Sequence, residues 1–360
     1  MSEQLKQHRD QIDEIDEQIL KLINQRAHHA RAIGALKEDG VIYRPEREAQ
    51  ILRRLQSNNL GPLSAEAISN VFRAVMANCR ALEKELAIAF LGPIGTYSEE
   101  AALKQFGQGR NAVVCGSIDE VFRTIEADQA DYGVVPVENS TEGAIGLTLD
   151  LLQESPLKIC GEITLAIHHG LLSKQSDLRN ISHVFSHAQS LAQCHEWLNK
   201  NLPNAKREAV TSNAYAAKMI HDLVSAEGTF AAAIASKRAA ELFNLNVLAE
   251  NIEDDPKNTT RFLVLGKHDV AVSGRDKTSL VMITKNKPGA MVELLQPLSK
   301  YGVSMTKLES RPSKQALWDY VFFVDIEGHQ QDKTVQEALQ EIAQRASLLR
   351  VLGSYPVAVI

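Results

Sequence analysis

The sequence predicts a multidomain protein with an all-α segment over residues 1–87, an α/β region of two lobes over 88–266, and an α+β module over 275–360. Three observations predict this order. A heptad-like apolar stripe runs through the N-terminal part, short apolar runs alternate with helical stretches in the middle, and a βαββαβ pattern closes the chain. At 360 residues, the chain has the length of two or three domains.

The composition is typical of globular protein, with 44% apolar and 23% charged residues and a net charge of -6. Lys and Arg are spread along the chain, so we expect no nucleic-acid and no membrane partner. No apolar run approaches the ~20 residues of a membrane span, and the polar N-terminus does not resemble a signal peptide.

Neither the cysteines nor the histidines have the spacing of a metal site. The cysteines lie far apart, at Cys79, Cys115, Cys160 and Cys194. This spacing is typical of a reducing compartment, so we expect a cytoplasmic protein without structural zinc. The pairs His28-His29 and His168-His169 are adjacent and lack the i, i+4 spacing of helical metal ligands.

The first helix is predicted from Leu5 to near Asp39-Gly40, where glycine can end it. Its apolar stripe comprises Leu5, Ile12, Ile15, Ile19, Leu22, Ile33 and Leu36. Arg26 interrupts the stripe, and a cation there needs an anionic partner. At ~100° per residue, Lys37 lies about 20° from Arg26 around the axis and Arg9 about 100° away.

Two shorter helices are predicted to follow. Arg44-Pro45 begins one of them, because proline suits the first helical position, and Ser64 begins another that runs to about Leu86. Such unequal helices would leave the stripe of the first one exposed, so we expect dimerisation.

The pattern R-x-x-I-D-x-I-D-x-x-I-L-x-L-I-x-x-R from Arg9, followed by G-x-x-K and Y-R-P-E-R-E, resembles the all-helical chorismate mutase family. The resemblance implies an intertwined dimer that binds a dicarboxylate. It also implies that Arg26 and Arg47 bind carboxylates, Lys37 the ether oxygen and Glu48 the substrate hydroxyl, with Arg9 supplied by the other subunit. Such a rearrangement needs a shaped, charged site and no nucleophile.

Two positions depart from the commonest family pattern. Cys79 lies where serine is frequent and Glu83 where glutamine is frequent. A glutamate donates a hydrogen bond only when protonated, so we expect burial to keep Glu83 protonated.

The α/β region begins with a strand over Ile88–Leu91 and the turn G-P-I-G-T-Y-S, a generic anion site before a helix. This turn lacks the third glycine of a dinucleotide fingerprint, which argues against a nicotinamide enzyme.

A strand from Tyr132 to Val137 leads into the polar run E-N-S-T-E-G. Pro136 lacks an N–H, so Val137 is predicted at the end of the strand or on an edge. Polar loops at strand ends hold ligands in α/β sheets. The alternative is a solvated turn in which Ser140 or Thr141 caps a helix.

Further strands are predicted at 113–117, 159–168, 183–186, 230–234 and 262–265, with helical stretches between most of them. The second lobe is predicted to begin near 163–167 and the chain to return near Asn251, leaving a cleft between the lobes. Polar loops at 186–190, 211–214 and 258–262 are each expected to precede a helix.

The motifs G-P-x-G-T-[FY]-S, V-V-P-V-E-N-S-T-E-G, S-H-A-Q-S-L-A-Q-C and N-x-T-R-F together resemble the prephenate dehydratase family. The resemblance implies a two-lobed fold similar to periplasmic binding proteins. It implies Thr260 as the proton donor or its positioner and Arg261 as a carboxylate contact. The remaining substrate-binding residues that it implies are Thr96, Ser98, Asn139, Ser140, Thr141, His187, Gln189, Ser212 and Asn213. In the helical segment, the resemblance to chorismate mutases implies Cys79 as a substrate-binding residue.

The C-terminal module has the βαββαβ order of a ferredoxin-like fold. Its P-G-A-M-V and E-S-R-P motifs resemble the ACT domain. The resemblance implies phenylalanine binding by Asn286, Gly289, Ala290, Met291, Glu309, Ser310 and Arg311. The alternative is a dimerisation module without a ligand.

Together, the resemblances imply an enzyme that converts chorismate to prephenate and then to phenylpyruvate, without metal or organic cofactor, and that senses L-phenylalanine. We expect a homodimer or larger homo-oligomer. One rival interpretation is a two-lobed binding protein without chemistry, and another is a mutase fused to a dehydrogenase, which the missing G-x-G-x-x-G disfavours.

Overall fold

The computed structural model describes residues 3–37, 40–223, 230–284, 287–312 and 320–359. The N-terminal segment is helical, with α1 (Glu3–Leu36), α2 (Pro45–Asn58) and α3 (Ala65–Ala81). The predicted starts are confirmed: Pro45 is the first residue of α2, and the Ser64 hydroxyl accepts the Ala67 N–H at 3.1 Å. Helix α3 ends at Ala81 and not near Leu86, because the chain turns and becomes extended before the next strand.

Helix α1 ends close to the predicted position. Gly40 has a φ of 66°, which favours glycine, whereas Asp39 lies outside the described residues. At 34 residues the helix is about 51 Å long. All of its residues are at least partly exposed, and its apolar side chains at Leu5, Ile12, Ile15, Ile19, Leu22, Ile33 and Leu36 are exposed. A single chain therefore leaves the stripe uncovered.

The middle region contains one sheet with the strand order β2-β1-β3-β11-β5, to which β4 adds on β3. Its elements are β1 (Ala87–Leu91), α4 (Tyr97–Phe106), β2 (Asn111–Cys115), α5 (Ile118–Glu126), β3 (Tyr132–Asn139), β4 (Gly143–Ala144), α6 (Gly146–Glu154) and β5 (Lys158–Ala166), and the chain returns to it as β11 (Thr259–Gly266).

A second sheet has the order β10-β6-β9-β7-β8. Its elements are β6 (Gly170–Ser173), β7 (His183–Ser186), α7 (Ala188–Gln193), α8 (His195–Asn201), β8 (Lys206–Ala209), α9 (Asn213–Asp222), β9 (Ala231–Ala235), α10 (Lys237–Phe243) and β10 (Asn246–Ala249). The chain crosses between the sheets at 167–169 and 250–258, close to the predicted points. Strands β6, β8 and β10, each four residues long, were not predicted.

Two local predictions in this region are wrong. Strand β3 continues beyond Pro136 to Asn139 in the interior of the sheet, because a bulge there pairs Pro136 with Phe262 and Glu138 with Arg261. The loop at 258–262 enters strand β11 and not a helix, since its residues pair with β3 and β5 on both sides.

The C-terminal module contains β12 (Asp276–Ile283), α11 (Ala290–Lys300), β13 (Met305–Pro312), β14 (Tyr320–Glu327), α12 (Lys333–Arg345) and β15 (Leu348–Pro356). The sheet order is β13-β14-β12-β15 with antiparallel pairings, so the predicted βαββαβ order is confirmed. This sheet packs on the first sheet of the middle region, where Phe323, Leu352 and Tyr355 share a core with Val137 and Ile159.

Within the described ranges, no helix combines the length and the apolar character needed to cross a membrane.

Candidate functional site

A cavity of about 710 Å³ lies between the two lobes of the middle region. Loops from both sheets line it, as expected for ligand sites at the ends of strands. The predicted residues that line it are Thr96, Ser98, Asn139, His187, Gln189, Ser212, Asn213 and Thr260. The structure therefore brings together Asn139 and Thr260, which are 121 positions apart in sequence, because β3 and β11 are neighbours in one sheet.

The buried pair Asn139 and Thr260 forms the polar floor of the cavity. The Asn139 Nδ2 donates to Thr260 Oγ1 at 2.9 Å and to Asn258 Oδ1 at 2.9 Å. Since the Thr260 hydroxyl accepts this bond, its own proton remains available, and the described residues offer it no acceptor within hydrogen-bond distance. The arrangement can direct a hydroxyl proton into the cavity.

Ser140 and Thr141 shape the neighbouring hairpin and are exposed beside the cavity. The Asn139 Oδ1 accepts the Thr141 N–H at 3.0 Å, and Ser140 Oγ accepts the Thr259 N–H at 2.9 Å. Neither residue caps a helix, since α6 begins after Ile145. Thr141 Oγ1 accepts from Nε2 of the cavity-lining Gln193 at 3.2 Å, so Thr141 borders the cavity. The substrate contacts of Ser140 and Thr141 stay predictions, whereas the alternative of a helix cap is wrong.

The glycine turn before α4 is held by a carboxylate of its own chain. Gly95 N–H donates to Glu99 Oε2 at 2.6 Å, and Glu99 Oε1 lies 3.3 Å from Arg110 Nη2. The predicted anion site therefore already has one N–H group occupied. Glu99 was not predicted, although it directly follows the motif G-P-I-G-T-Y-S.

The second lobe contributes a loop fixed by Asn213. Its Oδ1 accepts from Ser186 Oγ at 2.8 Å and from the His187 N–H at 3.1 Å, and its Nδ2 donates to Ser190 Oγ at 2.8 Å. Ser212 caps α9 through the Tyr215 N–H at 3.0 Å. This network fixes the loop that carries His187 and Gln189.

Tyr97, His169 and Gln193 also line the cavity and were not predicted. His169 Nδ1 lies 2.8 Å from the Tyr97 hydroxyl, and its Nε2 lies 3.1 Å from Gln193 Oε1. Burial lowers the pKa of His169, which favours the neutral imidazole. Gln193 stands inside the quoted S-H-A-Q-S-L-A-Q-C motif, which could have indicated it.

Arg261 points away from the cavity, so its predicted contact with a substrate carboxylate is wrong. Successive residues of a strand face opposite sides, and Thr260 takes the cavity side. Arg261 instead bonds Glu162 Oε2 at 2.8 Å, Asp325 Oδ2 at 2.7 Å and the Tyr355 hydroxyl at 2.9 Å. Burial opposes its charge, but Tyr355, Asp325 and Glu162 outweigh that effect and raise the pKa of the guanidinium.

In the helical segment, the structure brings Lys37 and Glu83 together. Lys37 Nζ lies 2.7 Å from Glu83 Oε2, so the structure pairs Glu83 with an ammonium group. Gly34 makes room for this pair, since a Cβ there would lie 2.9 Å from Glu83 Cγ. Cys79 is buried one helical turn before Glu83.

The other predicted residues of this segment differ in their surroundings. Glu48 forms an ion pair with the buried Arg80, which was not predicted. Arg9 and Arg47 are exposed, and Arg26 is half-buried on α1. In this single chain the cations predicted to bind a dicarboxylate lie along an open surface.

The predicted phenylalanine residues lie at the start of α11 and on β13. Gly289, with a φ of 80°, precedes Ala290 and Met291, the first residues of α11. Glu309 and Ser310 lie on β13, whereas Asn286 lies outside the described residues.

Arg311 has a partner outside its module. Its Nε lies 2.8 Å from Asp150 Oδ1 of α6, so the structure places this residue at the contact between modules.

Among the described residues, no group of three or more His, Cys, Asp or Glu side chains is placed to hold a metal ion.

Comparison with protein families gives three matches in chain order. Residues 8–84 match chorismate mutase type II, residues 88–270 match prephenate dehydratase, and residues 278–344 match the ACT domain.

Similar proteins cover the whole chain. A bifunctional chorismate mutase/prephenate dehydratase of Neisseria gonorrhoeae is 54% identical over 98% of this chain and 97% of that protein. One from Stutzerimonas stutzeri is 47% identical over 100% and 99%. The crystal structure of prephenate dehydratase from Arthrobacter aurescens in complex with L-Phe is 31% identical, with a TM-score of 0.69 over 76% of this chain and 93% of that one.

Proposed function

This chain belongs to the family of bifunctional chorismate mutase/prephenate dehydratases, and from that premise we propose how its parts divide the work. The helical segment rearranges chorismate to prephenate. The cavity between the lobes converts prephenate to phenylpyruvate, and the C-terminal module binds L-phenylalanine, which inhibits the enzyme.

The dehydratase step breaks two bonds of prephenate. The ring carboxylate leaves as CO2, its bonding electrons form the aromatic ring, and the ring hydroxyl leaves as water after gaining a proton. Thr260 is the candidate that donates or positions this proton, and Asn139 holds its oxygen. The bond between them in the floor of the cavity is the observation that carries this proposal.

The cavity must also accept the negative charge of a dicarboxylate. The described residues that line it include no Lys or Arg. Side-chain amides, hydroxyls and backbone N–H groups therefore have to donate hydrogen bonds to the carboxylates. Helices α4 and α9 begin at the cavity with Thr96 and Ser212 as caps, and the N-terminal end of a helix favours an anion. We propose that the lobes close on the substrate as in two-lobed binding proteins.

The mutase step requires a second copy of the chain in our proposal. The exposed apolar stripe of α1 would be covered by its counterpart in an intertwined dimer. Lys37 would then act on the ether oxygen, Glu83 would line the same site, and Arg9 would come from the other subunit. Arg26 and Arg47 would bind the carboxylates.

For the C-terminal module, the confirmed βαββαβ fold and the solved relative that carries L-Phe support an effector site at Gly289–Met291 and Glu309–Ser310. Backbone N–H groups at the start of α11 would bind the carboxylate of the amino acid.

Thr260→Ala tests the assignment of the dehydratase site. We expect the dehydratase turnover to fall by about 100-fold or more, because a positioned proton donor contributes ~10²–10⁴-fold. The mutase turnover should stay unchanged, since α1–α3 do not include this strand. Ultraviolet absorbance follows the loss of chorismate and the appearance of phenylpyruvate.

The matched control is Thr259→Ala. This neighbouring hydroxyl donates to Lys257 O at 3.1 Å and lies outside the cavity, so both activities should survive. Full dehydratase turnover in Thr260→Ala would refute the assignment. A protein that leaves chorismate and prephenate unchanged would favour the rival binding protein.

A further inference from the structure

Each of the strands β3 and β11 carries a residue that faces the cavity next to a residue that faces the C-terminal sheet. Thr260 is in register with Asn139, and Arg261 is in register with Glu138. Because side chains alternate along a strand, Thr260 and Asn139 face the cavity whereas Arg261 and Glu138 face the C-terminal sheet. Each polar residue in the floor of the cavity is thus one peptide unit from a charged residue at the interface.

The C-terminal sheet binds both of these charged residues. Asp325 of β14 bonds Arg261 Nη1 at 2.7 Å, and Lys307 Nζ of β13 lies 2.8 Å from Glu138 Oε2. The side chains of Arg261, Asp325 and Lys307 are each at most 15% exposed, whereas that of Glu138 is 36% exposed, so the Arg261–Asp325 pair is the one largely shielded from water.

A third contact joins the same elements. Glu162 of β5, with its side chain 4% exposed, bonds Arg261 Nε at 2.8 Å and Lys277 Nζ of β12 at 2.7 Å. Separating the sheets would leave several buried charges without partners, which is strongly unfavourable. The strands β3 and β11 are therefore expected to follow the C-terminal sheet when it shifts.

We propose that Arg261 and Glu138 are positioning residues through which the C-terminal module controls the dehydratase step. Rearrangement of β13 moves Lys307, and rearrangement of β14 moves Asp325. These two residues displace Glu138 and Arg261, which changes the alignment of Asn139 and Thr260 in the cavity.

The proposal rests on the proposed function, and it gives L-phenylalanine a route to the cavity. Lys307 is two residues before Glu309 on β13, one of the residues proposed to bind the effector. Both side chains are on the same face of that strand. An effector that orders Glu309 therefore acts on the strand that carries Lys307.

Asp325→Asn tests this route. The variant keeps a polar partner for Ser279, whose hydroxyl donates to Asp325 Oδ1, but removes the charge that pairs with Arg261. We expect L-phenylalanine still to bind in calorimetry. The dehydratase rate retained at saturating L-phenylalanine should rise by about tenfold relative to the unmodified enzyme, a typical size for coupling between sites. The mutase rate, measured on the same protein, reports folding.

Glu341→Gln is the matched control, because Glu341 pairs with Lys300 and Arg345 within the module and on its surface. Its inhibition should equal that of the unmodified enzyme. Lys307→Met provides a second variant for the same measurement if Asp325→Asn does not fold. If saturating L-phenylalanine inhibits the folded variant as strongly as it inhibits the unmodified enzyme, the proposal is overturned.

Hydrogen exchange on the unmodified enzyme tests the same route independently. L-phenylalanine should change the exchange of amides in 137–139 and 259–262 as well as in β13. A change confined to the C-terminal module would also overturn the proposal. An unmodified enzyme that lacks dehydratase activity, or inhibition by L-phenylalanine, would instead refute the proposed function itself.

Discussion

At the scale of single residues, burial sets the chemical state of the groups around the cavity. His169 is 1% exposed, with Tyr97 and Gln193 as ring partners, while its backbone N–H donates to Glu253 Oε2 at 2.8 Å. The adjacent His168 bonds the other oxygen of Glu253 at 2.7 Å. Burial lowers the pKa of His169 from its ordinary value of 6.5, so the folded protein resists protonation of this ring.

We expect His169 to make stability depend on pH. Its pKa in the folded state lies below that of the unfolded state, so the unfolded chain takes up the proton first as the pH falls. The neutral His169 ring therefore makes its full contribution to stability above pH 6.5. This contribution is lost as the pH falls through 6.5 towards the pKa of the ring in the folded protein. Thermal unfolding at about pH 7.5 and about pH 5.5 measures the difference.

In His169→Gln, the difference in unfolding temperature between the two pH values should be smaller than in the unmodified protein. His195→Gln, an exposed histidine on α8, is the control and should leave the difference unchanged. An equal difference in all three proteins would contradict the role of His169.

At the scale of elements, one glycine allows two sheets to approach each other closely. A Cβ at Gly353 of β15 would lie 2.2 Å from Ile159 O and 2.9 Å from Ile159 N of β5. Both neighbours are backbone atoms of a strand held by its own ladder, so they cannot move aside easily. The close approach of β15 to β5 therefore needs a residue without a side chain.

Gly353→Ala should weaken the docking of the C-terminal sheet. Overpacking of a tight contact costs about 1–3 kcal/mol, and we expect a loss of that order in the free energy of unfolding. Urea denaturation measures it, with Gly61→Ala as control, since a Cβ at Gly61 has its nearest neighbour at 3.6 Å. A Gly353→Ala protein as stable as the control would show that the sheets adjust at no cost.

At the scale of the whole molecule, the helical segment and the C-terminal module contact each other at the chain's end. Arg53 of α2 donates to Arg275 O at 2.8 Å and to Val357 O at 3.3 Å. Glu162 Oε1 accepts the Ala358 N–H at 3.2 Å, so the last described residues pass between α2 and the middle region. Helix α1, in contrast, extends its apolar stripe into solvent.

Ile19→Asp should dissociate the proposed dimer and remove mutase activity while dehydratase activity remains. An aspartate buried in an apolar seam costs ~2 kcal/mol or more, so we expect association to weaken by at least about tenfold. Sedimentation velocity measures the association. Lys21→Asp, about 200° around the helix from Ile19, is the control and should remain dimeric. Normal mutase turnover in a monomeric Ile19→Asp protein would contradict the shared site.

The sequence by itself determined the order of the modules, the helix starts at Pro45 and Ser64, and the family to which the motifs point. These features depend on local signals, such as proline at the first helical position, or on residues that stay close in sequence. Most of the predicted cleft residues also proved to line the cavity, because loops at strand ends meet at one edge of a sheet.

Only the tertiary structure decided which side of each strand meets the cavity. The family resemblance implied that Thr260 and Arg261 both act at the substrate, whereas the pairing of this segment with β3 and β5 makes them face opposite sides. One partner of Arg261 is Asp325, which is 64 residues away. Such a contact depends on how two sheets stack, and no local pattern of residues specifies that stacking.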